Sequence, residues 1–465
     1  MKIFLKKYQH IIAWLSIFLI VSLLYYPIIR GTFILDDYVW IESLNLTQII
    51  NLFTGSWEHG NTLRPFMRLD FFLSKLIFGE SVVGWHMVNI LLHTSISWFI
   101  YFFLNKISST KILPILVALS FATIPTNHEV VAWISGQTHA WGLILSIIAG
   151  IFFYRLFTSE KIKKYDAILA LVFTIVAFLT YEVSFVIPIL LLITIIIFPK
   201  FRNKKNIKVT LLSFILLILL LVYRYFVLNK SMGSVGDNQE NILLAPFKNF
   251  KAIINLFFYT KYISLAYLTS WIILVGLGYK RIIKDKNIIR LILWLGITSI
   301  IMYLPFSIIN GVAPRFLYSS IFFFTILTGL LLINQKTYRL SLIIIVVILL
   351  FNITRTSQTV RVYETLNNSY SSLRSQVVED YPMWPNDKDM LFYNIPNGIQ
   401  DGKQSVLAFL TYFDKAITYG YKNQSISGKI YRAERLDKER LETILKKDPI
   451  IYKFQNFEKP LLKIN

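Results

Sequence analysis

Apolar runs of membrane-spanning length dominate this sequence and limit what it can fold into. Residues 11–29, 112–125, 169–198 and 340–352 carry no charge apart from Glu182. About 20 apolar residues, at 1.5 Å each in a helix, cross the roughly 30 Å hydrocarbon layer of a bilayer. Charged residues make up only 16% of the 465, whereas about a quarter is usual in a soluble domain. The chain therefore reads as a polytopic membrane protein, which excludes soluble enzymes, disordered chains and collagen-like fibres. No small-residue cleavage site follows the first run, so it is expected to stay as an uncleaved anchor. The sequence has no cysteine, hence no disulfide, thiolate nucleophile or Cys-ligated zinc.

The formal net charge is +22. A basic excess of this size can signal nucleic-acid binding, but here its distribution follows the positive-inside rule. Lys and Arg cluster in short segments at 2–7, 106–111, 158–166, 199–208, 280–290 and 336–339, whereas 126–136 has none. The N-terminus is thus expected in the cytoplasm, and no nucleic-acid partner is expected.

Counting crossings between basic segments fixes most spans. Residues 167–198 would be about 48 Å long as one helix, too long for one crossing. They read as two tight spans turning near Tyr181, Glu182 and Ser184. Spans are expected near 9–29, 85–104, 112–126, 139–157, 167–181, 183–199, 209–228, 262–279, 288–306, 317–334 and 340–353. Eleven spans place the C-terminus outside. Residues 243–259 fit either an interfacial amphipathic helix or part of a crossing. Two outer segments are large: 30–84, with helical patterns at 46–54 and 65–78, and the tail, 354–465. The tail opens with Tyr363, Leu366, Tyr370, Leu373 and Val377 at helical spacing, and Pro382 and Pro385 end that helix. Strand-like 390–395, helical 405–419 and strand-like 450–454 give a small α/β domain. The fold class is an all-α polytopic membrane protein of about eleven helices with this extracytoplasmic domain, divided into 1–353 and 354–465.

Charge inside a membrane costs about 2.5–3.5 kcal/mol per group even on mild scales, so it is kept where it is paired or functional. His59, His86, His93, His128 and His139 fall at outer positions, as do Asp36, Asp37, Glu58, Asp70, Glu129 and Glu182. The Asp36-Asp37 pair after the first span fits a solvated loop start or helix cap. It also fits a carboxylate that takes a proton from an acceptor or holds a divalent cation. Arg64 and Arg68 lie one helical turn apart and suit snorkelling, structural pairing or phosphate binding. His86, Asn89 and His93 form a polar stripe, the pattern of an interhelical hydrogen-bond seam. His128 and Glu129, with Glu182, fit a cavity lining or mutual pairing. Arg315 is either an interfacial arginine or a guanidinium fork for phosphate.

Six segments in order resemble a known family. They are Ile34-Leu35-Asp36-Asp37; Leu63-Arg64-Pro65-Phe66; Gly84-Trp85-His86 through Asn89 to His93; His128-Glu129 through Trp133-Ile134-Ser135-Gly136; Tyr181-Glu182; and Arg315-Phe316-Leu317-Tyr318. Together they resemble the GT-C superfamily of polytopic glycosyltransferases, over about residues 10–335. The likeness is to the protein O-mannosyltransferase-like branch that includes the transmembrane and TPR-containing mannosyltransferases. The resemblance implies a polyprenyl- or dolichyl-phosphate sugar donor, transfer on the extracytoplasmic side, and a catalytic acid in the first outer loop. Asp36 is best placed for that role, with Asp37 beside it; Arg315 would neutralise the departing phosphate. Arg64, His86, His93, His128, Glu129 and Glu182 would line the cavity. Two features depart from the family: the tail has no TPR signature, and Tyr181-Glu182 stands where relatives often carry Lys-Glu. The expected function is a glycosyltransferase, inverting in the sense the family implies, in the plasma membrane or, in a eukaryote, the endoplasmic reticulum. The alternatives are a transporter or flippase, or a ligase or polymerase, of lipid-linked saccharides. The acceptor would be a protein, a lipid or a glycan.

Overall fold

A computed structural model of the chain describes residues 2–41, 46–54, 63–161, 163–228, 285–307, 313–333, 338–385, 388–396, 398–401, 404–407, 413–421, 429–456 and 460–464. The expected span 262–279, the segment 243–259, Glu58 and His59 lie outside these residues. The described part is mostly helical. Six helices are long and apolar enough to cross a membrane: Val82–Ile107, Ile134–Thr158, Lys204–Val227, Lys286–Phe306, Pro314–Ile333 and Arg339–Asp380. A seventh arises if Ile112–Ala122 and Pro125–Ala132, bent by 53° at their junction, form one broken span. Tyr8–Leu24 and Glu182–Ile197 are shorter apolar helices.

Polar side chains tie the bundle together where hydrocarbon offers them no other partner. Asn89 donates to the Trp133 carbonyl at 2.8 Å and the Val130 carbonyl at 3.1 Å. His93 shares a 2.7 Å hydrogen bond with the Tyr318 hydroxyl and its other ring nitrogen meets the Ala122 carbonyl at 3.0 Å. Asn352 donates to the Ser120 carbonyl at 3.1 Å, and the Thr356 hydroxyl to the Thr123 carbonyl at 2.7 Å. The seam expected from the His86, Asn89 and His93 spacing is thus present at Asn89 and His93, which join helix Val82–Ile107 to three other elements. Close helix approach is made by Gly329, where an added Cβ would lie 2.5 Å from Leu104 and 2.9 Å from Val117.

The apolar run 169–198 folds as a hairpin. Helix Lys164–Phe178 and helix Ile187–Ile197 flank the turn Glu182–Val186. Helix Pro65–Phe78 buries Met67, Arg68, Phe71 and Ser74 and exposes Leu73, Leu76 and Ile77, the profile of a helix lying in the interface.

Helix Tyr338–Asp380 runs unbroken for 43 residues, about 64 Å, through the last apolar run and into the tail. Tyr363, Leu366, Tyr370, Leu373 and Val377 are all buried along one face. The tail adds a four-stranded sheet of order β4-β1-β5-β6. Strand β1 (Met390–Tyr393) pairs in parallel with β4 (Ile430–Arg432) and β5 (Ile450–Phe454); β6 (Leu461–Lys463) pairs antiparallel to β5. Residues 405–419 correct the expectation of a single helix. Gln404–Leu407 is strand β3, paired antiparallel with β2 (Gly398–Asp401), and among the described residues of this stretch the helix is Phe413–Thr418. Ile399 is in register with Val406 across that pair, and β-branched residues favour strand over helix.

Candidate active site

Asp36 follows Leu35, whose φ of 52° is a left-handed backbone for a bulky residue. Such strain costs on the order of 1–3 kcal/mol and persists only where the surroundings enforce it. Here they do. The Leu35 N–H donates to the Tyr370 hydroxyl at 3.4 Å, and Tyr38 packs on Tyr370 with centroids 6.2 Å apart. Arg374, one turn along the same helix, donates to the Thr32 and Tyr38 hydroxyls, each at 3.4 Å. The long tail helix therefore braces the turn that carries the two acids.

The adjacent acids are held differently. Asp37 is 1% exposed, and each of its oxygens accepts a backbone N–H: Oδ2 from Ile34 at 3.1 Å and Oδ1 from Ser135 at 2.9 Å. Asp36 is half-buried and accepts from the Ser135 hydroxyl at 2.7 Å and the Trp40 indole N–H at 3.3 Å. Ser135 reaches both because its turn, Ile134–Gly136, presses on the preceding helix. A Cβ on Gly136 would sit 2.2 Å from the Glu129 carbonyl oxygen. Burial raises the Asp36 carboxyl above the usual range, against the opposing effects of Ser135, Trp40 and the Arg315 charge. Burial and the neighbouring Asp36 push Asp37 well above it.

These contacts predict separable roles. An amide at position 37 accepts one of the two N–H groups but sets an NH₂ against the other. Asp37→Asn should therefore lose about 1–3 kcal/mol of stability, seen as a lower melting temperature in detergent, with Asp36→Asn losing less.

Arg315 opens the turn Pro314–Leu317. Its Nη1 donates to Glu129 Oε2 at 2.9 Å and its backbone N–H to the same oxygen at 3.3 Å. The Trp133 and Phe316 rings each lie 4.9 Å from its guanidinium carbon. Arg315 makes no ion pair with Asp36, yet its charge favours ionised Asp36. Its side chain is 20% exposed, held by Glu129 and covered by two aromatic rings.

The third group is centred on Glu182, which accepts from Arg64 Nη2 at 2.7 Å and from Arg224 Nη2 at 2.9 Å. Arg64 also lies 4.5 Å from the Tyr181 ring centroid, and the Tyr181 hydroxyl meets His139 Nε2 at 2.7 Å. The structure thus gathers Asp36, Asp37, Arg64, Glu129, Glu182 and Arg315. It leaves His86, His93 and His128 out of this hydrogen-bonded set. His93 serves the seam, His128 Nδ1 meets the Pro125 carbonyl at 2.6 Å, and neither ring nitrogen of His86 has a hydrogen-bond partner among the described residues. Glu129 and Glu182 each pair with arginine, not with one another or with His128. Sequence reasoning missed Ser135, Trp133, His139 and Arg224 as members. For Arg224 the signal was available, since it is the only charge in the run 209–228.

A divalent cation would need converging ligands. Among the described residues no group of three His, Cys, Asp or Glu side chains is placed to hold one. Both Asp37 oxygens are engaged by backbone N–H groups, so the described residues do not fit a metal centre.

No family model matches the sequence. No curated protein matches it either. Among solved structures, the chain is similar to the crystal structure of the Archaeoglobus fulgidus oligosaccharyltransferase in the apo form. The TM-score is 0.51 and the identity 12%, covering 96% of this chain and 69% of that one. At this identity the likeness is one of fold: a bundle of apolar helices followed by a small C-terminal sheet.

Proposed function

We propose that this protein is a membrane glycosyltransferase that moves a sugar from a polyprenyl- or dolichyl-phosphate donor to an acceptor on the extracytoplasmic side. It would belong with the protein O-mannosyltransferase-like branch and invert configuration at the transferred carbon. The observation that carries this reading is the division of labour around Ser135. Asp37 is locked into the loop, while Asp36 remains half-buried and within electrostatic reach of an arginine that it does not neutralise.

In the proposed step the acceptor hydroxyl attacks the anomeric carbon and its proton passes to Asp36. The bond from that carbon to the phosphate oxygen breaks, and the electron pair leaves on the lipid phosphate. Arg315 stabilises the developing charge. Glu129 fixes one of its nitrogens and the two rings cover its faces, so the guanidinium is oriented before the phosphate arrives. Preorganised charge aimed at the leaving group is commonly the largest single contribution in such chemistry. No step runs through a metal. We place the N-terminus in the cytoplasm, the site and the tail 354–465 outside, and eleven spans in the complete membrane part.

The pH dependence follows from Asp36. A base must be ionised to accept a proton, and burial raises its pKa. Transfer should therefore fall as pH drops through a value above the usual carboxylate range, and recover as pH rises. A pH–rate profile on purified protein measures this. An acidic limb at an ordinary carboxylate value, or none, removes Asp36 as the base.

A further inference from the structure

We propose that Arg64, Glu182 and Arg224 form a second oxyanion-binding station, separate from Arg315, for a phosphoryl group carried by one of the two substrates. The words donor and acceptor rest on the transfer reading above; the binding site itself does not.

Glu182 sits in the turn of an apolar hairpin and accepts from Arg64 Nε at 3.0 Å, Arg64 Nη2 at 2.7 Å and Arg224 Nη2 at 2.9 Å. Two guanidinium cations on one carboxylate leave a surplus of one positive charge. Arg224 is 4% exposed near the end of helix Lys204–Val227, whose apolar window has a mean hydropathy of 2.3. Surplus charge at a membrane rim is expensive, and a buried ion set with one uncompensated member is strongly destabilised.

Among the described residues the neighbouring carboxylates do not cancel it. Glu129 is engaged by Arg315, and Asp37 by the Ile34 and Ser135 N–H groups. Asp36 is within electrostatic reach of Arg64, but it accepts from Ser135 and Trp40 and makes no ion pair with Arg64 or Arg224. The triad has a charge to spare for another anion.

A second, independent observation points the same way. The Nε of Arg224 is buried and has no hydrogen-bond partner among the described residues. An orphaned N–H on a charged group costs free energy that a ligand oxygen would recover. Arginine forks match phosphoryl oxygens in geometry as well as charge. The station is open on one side, because the Arg64 and Glu182 side chains are 18% and 17% exposed while that of Arg224 is 5% exposed. The Tyr181 ring covers one face of Arg64 and lies within electrostatic reach of both Arg64 and Arg315. The two stations therefore flank one neighbourhood.

The test uses the full chain in lipid nanodiscs and inorganic phosphate as the probe, read by calorimetry without any transfer. With the first station removed by Arg315→Gln, phosphate should still bind. Adding Arg224→Gln should weaken that binding about ten- to a hundredfold, the range for losing a charged hydrogen bond. Adding Glu182→Gln instead should tighten it, because the surplus charge rises; a salt bridge with only a structural role would not produce this. Phosphate that fails to bind the Arg315→Gln protein, or binds equally well after Arg224→Gln, overturns the station. Should Arg224→Gln not fold, unchanged or weaker binding in the Glu182→Gln arm overturns it as well. Polyprenyl monophosphate and polyprenyl diphosphate then identify the source. A loss confined to the diphosphate in Arg224→Gln assigns the group to the donor, and equal affinity for both lipids assigns it to the acceptor; either result supports the station. Because binding is read apart from catalysis, failure of Asp36 as the base leaves the outcome legible.

Discussion

Asp36→Asn should abolish most sugar transfer while the protein still inserts and folds. Removing a general base costs on the order of 10²–10⁴-fold in rate. The amide keeps the shape of the carboxylate and can still accept from the Ser135 hydroxyl, now 2.7 Å from Asp36. Structural damage should therefore be small, in contrast to Asp37→Asn, where one of two backbone N–H groups loses its acceptor. The measurement is transfer rate at equal expression, alongside the melting temperature of each variant. Parent-level transfer by Asp36→Asn removes the assignment. Loss of transfer in Asp37→Asn without loss of stability moves the base one residue along.

Arg315→Ala should have an effect of similar size for a different reason. Deleting a preorganised donor to a developing oxyanion costs about 10²–10³-fold. The change also strips the partner from Glu129, which is 6% exposed in this ion pair, so some stability is lost as well. Arg315→Lys keeps the charge but replaces a planar fork with a point charge, and should fall between the parent and the alanine variant. Glu129→Gln separates the two effects. It leaves the guanidinium between Trp133 and Phe316 but loosens its orientation, so transfer should drop less than in Arg315→Ala. An alanine variant that keeps parent kcat and shows only a lower melting temperature would make Arg315 a structural residue.

Much of the membrane architecture was legible because hydropathy and the positive-inside bias are one-dimensional signals. The hairpin turn at Tyr181 and Glu182 follows from a run too long for one crossing. The buried face of the tail helix follows from the spacing of Tyr363 to Val377. Five of the six motifs supply a residue to the gathered charges, whereas 84–93 supplies the interhelical seam instead. What was not legible is who pairs with whom. Arg315 with Glu129 joins residues 186 positions apart, and Arg64 with Glu182 joins residues 118 apart. Several pairings among the same charges satisfied the sequence equally well, since distance in space is set by helix packing. The different fates of Asp36 and Asp37 depend on the left-handed Leu35 and on Ser135, 98 residues beyond Asp37. A hydrophobic residue in that conformation carries no sequence signal, unlike glycine. The β2–β3 pair was misread for a local reason. Ser405 to Tyr419 contains apolar residues at helical spacing.

The central claim is that a lipid-phosphate-linked sugar is consumed by chemistry at the outer face. The most direct measurement reconstitutes the purified protein in liposomes with a radiolabelled polyprenyl-phosphate sugar and follows the label. This account predicts that label leaves the lipid, as transferred product or as slowly released sugar, in parent protein and not in Asp36→Asn, while a nucleotide sugar is not consumed. Label that stays on the lipid while crossing the bilayer, or that is drawn only from a nucleotide sugar, would contradict it.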